Sequence, residues 1–430
     1  MIIDFLEFYF VFFLRFAHYW WFILPLFALY PLMDNFWMYH VGTYYATKEK
    51  HVVMRIKVPR EQVKSPLLME NVINGFWRIP SDPRHFMDTY VFRIKEDYYS
   101  LEIASIEGQI HFAVWVREAK TEYFKMHIYS QYPDAEVEIL EKDYLSLVPD
   151  DIPNEEWDLF GLRWILQKAD AYPIKTYRHF EDSVTGNMID PLGSILETMS
   201  TLGPGELLIY QVLVHPVEDS AWKKSFQAEV EKILDRGKEE KKKPSMVQEL
   251  MEHYDNFPMD TISAAFKYPE FESKKSNDEG DPFENLMFKL SPGEQEWIKE
   301  MEQSHNKRHH RCQYATVYAA KKSVFDGSKV DSMIGAVDQF SSSRLNGFDV
   351  YAPYITSSKY FMEEKRKDFI KRLLWRITKD RKFSGDIYHL NTEELATIWH
   401  FPDMAVKAPK TPWVESKKSS APSNLPISDS

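Results

Sequence analysis

YYSLEIASIEGQIHFAVWVR, residues 98–117, decides how the first half of this chain is read. Leu101 and Ile103 alternate with other residues before the Glu107-Gly108 pair, and Ile110, Phe112, Val114 and Val116 alternate after it. A period of two on both sides of a dipeptide whose glycine accepts a positive φ is the signature of a β-hairpin. Upstream, HVVMRIKVP (51–59) alternates Val52, Met54, Ile56 and Val58, which predicts a strand. SPLLMENVINGFW (65–77) offers Ser65 as N-cap and Pro66 at the first helical position, with Met69, Val72, Ile73 and Phe76 on one face. Downstream, EAKTEYFKMHIYSQYP (118–133) predicts a helix with Phe124 and Ile128 on one face, and AEVEILE (135–141) a short strand. The order β-α-β-β-α-β predicts a ferredoxin-like α+β domain over residues 49–146, an antiparallel sheet with both helices on one side.

The pattern partly recurs over residues 152–402. WDLFGLRWILQKADAYP (157–173) is strand-like, and DPLGSILETMSTLGPGE (190–206) predicts a helix with Asp190 as N-cap. LLIYQVLVHPV (207–217) is almost continuously apolar, which predicts a strand covered on both faces. An amphipathic helix is expected over 220–237. The charged stretch 237–290, with GKEEKKKP and ESKKSNDEGDP, predicts an exposed insert. Order resumes with SPGEQEWIKEMEQ, where Ser291 and Glu294 form a capping box, then the strand CQYATVYAA, the helices VDSMIGAVDQF and FMEEKRKDFIKRLLWRITKDR, and the strand DIYHL. A second ferredoxin-like or related α+β unit is the expectation. Residues 403–430, rich in Pro, Lys and Ser, predict a flexible tail.

Residues 1–48 read as a membrane anchor and juxtamembrane segment. Phe16 to Met33 contains no Asp, Glu, Lys or Arg, and as a helix spans about 27 Å, close to the hydrocarbon thickness. Trp20, Trp21 and Trp37 are interface-favouring aromatics. The residues leave open one long span or an interfacial helix near 4–15 followed by the span. Acids precede the span, while Lys48, Lys50, Arg55 and Lys57 follow it. The positive-inside rule therefore predicts a single-pass protein of the plasma (cytoplasmic) membrane with its bulk in the cytoplasm. The single cysteine, Cys312, excludes an internal disulfide and fits a reducing compartment.

The chain of 430 residues has 65 Asp and Glu against 53 Lys and Arg, a net charge of −12, which disfavours generic binding to nucleic acid. It has no Gly-x-x-x-x-Gly-Lys-Ser/Thr loop, no His-Glu-x-x-His and no Gly-x-Ser-x-Gly. No catalytic, cofactor or metal residue is assigned. HNKRHHRC (305–312) would place His305 and His309 on one helix face near Cys312, but a metal site needs more converging ligands, and a solvated basic stretch explains it better. KRKDFIKRLLWRITKDRK (365–382) is a basic amphipathic helix. Lys365, Arg366, Lys371, Arg372, Arg376 and Lys379 are candidates for contact with lipid or an acidic partner, weighed against an ordinary surface helix. Phe369, Leu373 and Ile377, with Leu374 and Trp375, would form its apolar face.

Four stretches together resemble one known family: residues 51–77, residues 100–144 (SLEIASIEGQIHFAVWVREAKTEYFKMHIYSQYPDAEVEILEKDY), residues 190–217, and LNTEELATIWHFPDMAVKAPKTPWVESKKSSAPSNLP from Leu390. They are similar to the N-terminal, non-motor region of bacterial type IV secretion or conjugative DNA transfer ATPases of the HerA/FtsK-like superfamily. The likeness runs from about residue 50 to 427. In that family a stretch like the last one leads into the motor's phosphate loop, for which this sequence has no counterpart. The resemblance implies a non-catalytic, membrane-anchored platform of a DNA or protein translocation complex, positioning a separate ATPase or another secretion subunit. Leu395, Ile398, Trp399 and Phe401 are its candidate partner-docking residues, weighed against burial at home. Self-association is left open. The alternative is a membrane-tethered nucleic-acid binder using residues 365–382.

Overall fold

The computed structural model describes residues 49–59, 65–77, 97–180, 189–216, 292–355 and 362–402, with scattered helical positions between 9 and 40 and at 226, 228 and 229. Strand β1 (His51–Lys57), helix α1 (Pro66–Phe76), β2 (Tyr99–Ile106), β3 (Gln109–Arg117), α2 (Thr121–Gln131) and β4 (Glu136–Ile139) form the first half. The second half comprises β5 (Trp157–Leu166), α3 (Gly193–Ser200), β6 (Glu206–Pro216), α4 (Pro292–His305), β7 (His309–Lys321), α5 (Gly327–Asp338), β8 (Phe348–Val350), α6 (Glu363–Lys379), β9 (Tyr388–Asn391) and α7 (Thr392–Ile398). The architecture is α+β around an antiparallel sheet.

Local chemistry explains the elements of the first half. The Ser65 hydroxyl accepts from the Leu67 amide and caps α1, whose Met69, Val72, Ile73 and Phe76 are all buried. The β2–β3 hairpin turns at Glu107 (φ 53°) and Gly108 (φ 87°), positive at both positions as a two-residue primed turn requires.

Strand order is β4-β1-β3-β2-β6-β7-β5-β8, and β9 continues the β5 edge of β7. Within each half the first strand lies between the fourth and the third, with the second beyond the third. The two halves are joined by their second strands: β2 and β6 pair antiparallel from Tyr99↔Val214 to Ile106↔Leu207. The sheet therefore runs unbroken through residues that the sequence assigns to two units. Neither unit ends in a free edge at this point, which removes two aggregation-prone edges at once.

One face of the sheet carries α1, α2, α3, α5 and α7. Their Met69, Phe76, Phe124, Ile128, Ile195, Met199, Met333, Val337 and Leu395 share a core with Ile103, Val114, Tyr210 and Tyr314. The opposite face is covered by α6 and residues 144–152, over Val53, Ala104, Ala113, Leu159, Ile209 and Val317. Double coverage explains why every β6 residue but Pro216 is buried. It also explains why Val53 is as buried as Met54, against the simple alternation expected of β1.

Three local expectations are corrected. Asp190 does not cap α3 directly: the helix starts at Gly193, and the Asp190 carboxylate accepts from the Leu192 amide one turn earlier. His305 and His309 share no helix face, because α4 ends at His305 and His309 opens β7. In α6 the buried residues are Leu374, Trp375, Ile377 and Thr378, while Phe369 is 67% exposed. The close approach of Leu374 to Gly161 sets this rotation, since a Cβ at residue 161 would lie 2.4 Å from the Leu374 Cδ2 atom. The insert at 237–290 and the tail at 403–430 lie outside the described residues, as do Trp20 and Trp21.

Candidate functional site at the seam of the sheet

The β2–β6 seam buries a carboxylate. β2 has Glu102 opposite Gln211 of β6, and both are 0% exposed. Glu102 collects hydrogen bonds from the Ser100 hydroxyl (2.7 Å), the Gln211 Nε2 atom (3.0 Å) and the Tyr144 hydroxyl (2.5 Å). Its charge is met by Arg381, whose Nε donates to Oε1 at 2.7 Å and whose Nη2 donates to Oε2 at 3.0 Å. Arg381 also pairs with Asp143 and lies 5.6 Å above the Trp115 ring. Burial alone would lower the Arg381 pKa, but Glu102 and Asp143 hold the guanidinium well above its ordinary value. Burial and the adjoining Glu102 carboxylate likewise push the Tyr144 hydroxyl well up.

Arg381 reaches this position through an unusual helix end. The Arg381 amide donates to Thr378 O and the Lys382 amide to Ile377 O, the paired bonds of a Schellman cap to α6. The residue at that position takes a left-handed φ, here 50°, which glycine adopts without penalty and arginine at a cost of about 1 kcal/mol. The side chain explains the choice, since glycine could not reach Glu102.

On the helical face, α7 ties the two halves together. Asn391 and Glu394 form the capping box expected from the sequence. Glu394 also accepts from the Ile174 amide, and it is fully buried; burial outweighs these amides and raises its carboxyl to about 8. Glu393 pairs with Lys307 and Arg178, and Lys307 also binds Glu70 of α1 at 2.7 Å. The Trp399 indole donates to the Glu102 carbonyl at 3.2 Å.

The structure disperses the residues singled out from the sequence. Leu395, Ile398, Trp399 and Phe401 are between 0% and 3% exposed; Phe401 packs against Phe112 and Tyr132. They are core residues that close α7 onto the sheet and cannot meet a partner while this packing holds. Within α6, Lys371 pairs with Asp158, Lys379 with Asp150, and Arg372 donates to the Pro153 carbonyl, so half of the candidate basic residues face their own domain. Lys365, Arg366 and Arg376 are exposed. Trp37 lies in a helical position and is 52% exposed. Among the described residues no helix is long and apolar enough to cross a membrane. Among them also, no cluster of His, Cys, Asp and Glu could hold a metal ion; Cys312 is buried, and burial raises its thiol well above the ordinary value.

Sequence reasoning missed the seam network. Its only signal was Glu102, a lone acid in an apolar strand, with nothing local to say what would neutralise it.

The family described as "Domain of unknown function (DUF8128)" matches residues 45–278, a little over half of the chain. The chain belongs to this family. The DUF8128 match takes in β1 to β6, hence Glu102 and Gln211 on both sides of the seam, but not Arg381 or α7. No curated protein matches the chain.

Proposed function

We propose that this DUF8128 protein is a non-catalytic scaffold. It comprises an N-terminal membrane anchor and two ferredoxin-like units fused edge to edge, and it positions a separate ATPase in a type IV secretion or conjugation-like complex that moves DNA or protein. The observation that carries the scaffold reading is the unbroken sheet across both units, closed at its seam by the buried Arg381–Glu102 pair. Such a body has little freedom for hinge motion and transmits position rather than performing a stroke. Glu394, Cys312 and His310, whose titration burial shifts, lie inside the core. The secretion assignment rests on the resemblance of residues 51–77, 100–144, 190–217 and 390–426. The anchor is supported by exposed apolar side chains at helical positions, including Phe10, Phe12, Leu32, Met33 and Phe36.

The test is cross-linked capture of the full chain from native membranes. Recovery of an ATPase with a phosphate-binding loop, from a membrane fraction that resists carbonate washing, is the expected result. A chain released into the soluble fraction, or nucleotide turnover by the purified chain alone, would refute the reading. The nucleic-acid alternative has only Lys365, Arg366 and Arg376 of α6 to draw on beyond the internally bonded residues. It requires a mobility shift that weakens with salt and with charge reversal of those three.

A further inference from the structure

Helix α6 buries Leu374, Trp375 and Ile377 against the sheet. On the side away from them a second stripe runs along the helix. Lys365, Phe369, Arg372 and Arg376 fall at i, i+4, i+7 and i+11, and all four are exposed. Arg366 flanks Phe369 one turn back and is exposed too. Phe369 and Met362, beside the helix start, are both more than half exposed. Among the described residues Lys365, Arg366 and Arg376 form no ion pair, and Arg372 keeps its charge, since its Nη2 donates only to the Pro153 carbonyl. The exposed acids of the helix, Glu364 and Asp368, stand at i and i+4 to one side of the stripe. A chain of net charge −12 thus presents one cationic helix face with a phenyl ring at its centre.

The C-terminal end of α6 lies beside the point where the anchor segment enters the folded body. Arg381, just past the helix, lies 5.6 Å above the Trp115 ring, and Trp115 stacks on His51 at 4.2 Å. His51 opens β1 and follows residues 1–48, read as the anchor and juxtamembrane segment. Met33, which ends the apolar run, is eighteen residues earlier, a reach of about 60 Å at most. Tyr98 and Trp115, half-buried around this point, are of the aromatic type that favours a headgroup layer. Charge alone would suit nucleic acid or an acidic protein as well. The bilayer held within reach of the stripe by the chain's own anchor favours lipid.

We propose that the exposed stripe of α6 docks on the anionic headgroup surface of the membrane that holds the anchor. Lys365, Arg366, Arg372 and Arg376 meet the charged headgroups, and the Phe369 ring enters the boundary between headgroups and acyl chains. The proposal rests on the anchor of the reading above and adds that the folded body lies down on the membrane.

Cys312 is fully buried, so a thiol-reactive, environment-sensitive dye marks Phe369→Cys alone. The labelled full chain is held in nanodiscs that contain spin-labelled quencher lipid, in zwitterionic lipid alone or with about 30% phosphatidylserine. The expected result is quenching at least about threefold stronger with phosphatidylserine, falling to the zwitterionic level at about 0.5 M salt. Lys365→Glu, Arg366→Glu and Arg376→Glu together should abolish the difference and leave the melting temperature unchanged, because all three positions are exposed. A dye at Met126→Cys, an exposed position of α2 across the sheet, should be quenched equally weakly in both lipids. Equal quenching of the Phe369→Cys dye in both lipids, charge reversal without effect, or a Met126→Cys dye quenched as strongly would overturn the proposal. A Phe369→Cys dye left in water by both lipids would overturn it too, and would leave the stripe to nucleic acid or an acidic partner. Failure of the chain to elute with nanodiscs refutes the anchor instead, and the same labelled chain, added to vesicles of either composition, then decides the docking by the same quenching.

Discussion

Arg381 and Glu102 are 279 residues apart in the chain and meet as a bidentate pair, both side chains almost wholly buried. The pair joins the end of α6 to the strand where the two halves of the sheet fuse. Removing one partner of such a pair strands a buried charge, which costs about 3–5 kcal/mol, whereas removing both is often tolerated. Arg381→Ala and Glu102→Leu should therefore each destabilise the protein by that amount in denaturant unfolding, and the two together should cost much less than their sum. If the single and double changes simply add, the two side chains are not coupled.

The helix cap makes a sharper test at the same residue. Arg381→Gly loses the pair as Arg381→Ala does, but relieves the left-handed backbone. The glycine variant should be the more stable of the two by about 1 kcal/mol. Equal stability would mean that residue 381 is not held at positive φ.

Stability should fall on both sides of a maximum in mildly acidic solution. Burial raises the Glu394 carboxyl from 4.5 to about 8, so the folded state holds a proton that the unfolded chain has released. This contribution is complete below pH 4.5 and is lost as pH rises to about 8. His310 behaves oppositely. Burial, aided by His309, lowers it from 6.5 to about 3, so its contribution is complete above pH 6.5 and is lost as pH falls toward 3. Glu394→Gln should flatten the limb above pH 6.5 and His310→Leu the limb below pH 4.5 in unfolding midpoints taken across pH. An unchanged limb in either variant would remove that residue as its cause.

Trp399 lies in the core, and Phe369, expected on the apolar face of α6, lies in solvent. Trp399 is 1% exposed beneath α7, so Trp399→Ala should cost about 3–5 kcal/mol, while Phe369→Ala, at a 67% exposed position, should stay within about 0.5 kcal/mol. A mild Trp399 variant would mean that α7 leaves the core in solution.

Gly161 sets the approach of α6 to β5. A methyl group there meets Leu374, so Gly161→Ala should destabilise by about 1–3 kcal/mol, and Leu374→Ala added to it should cost less than it does alone. Independent effects would place the helix farther from the strand.

Much of the local structure was legible because its causes lie within a few residues. Ser65 and Pro66 start α1, Glu107-Gly108 turns the hairpin, and Asn391 with Glu394 opens α7, each through bonds to its own neighbours. The depth of β6 could be read from its unbroken apolar run. The sense of α6 could not. Its apolar residues allow more than one buried stripe, and contact with Gly161 selects the one that leaves Phe369 in solvent.

By itself, then, the sequence determined where α1 and α7 begin and where the β2–β3 hairpin turns, since capping and side-chain period act within one turn or one pleat. The tertiary structure alone decided that β2 finds β6, that Trp399 and Phe401 turn inward, and that Glu102 is neutralised by Arg381. An apolar strand edge offers the same amides and carbonyls to any partner, and a lone acid accepts any cation. Only the packing of both faces at once selects among them.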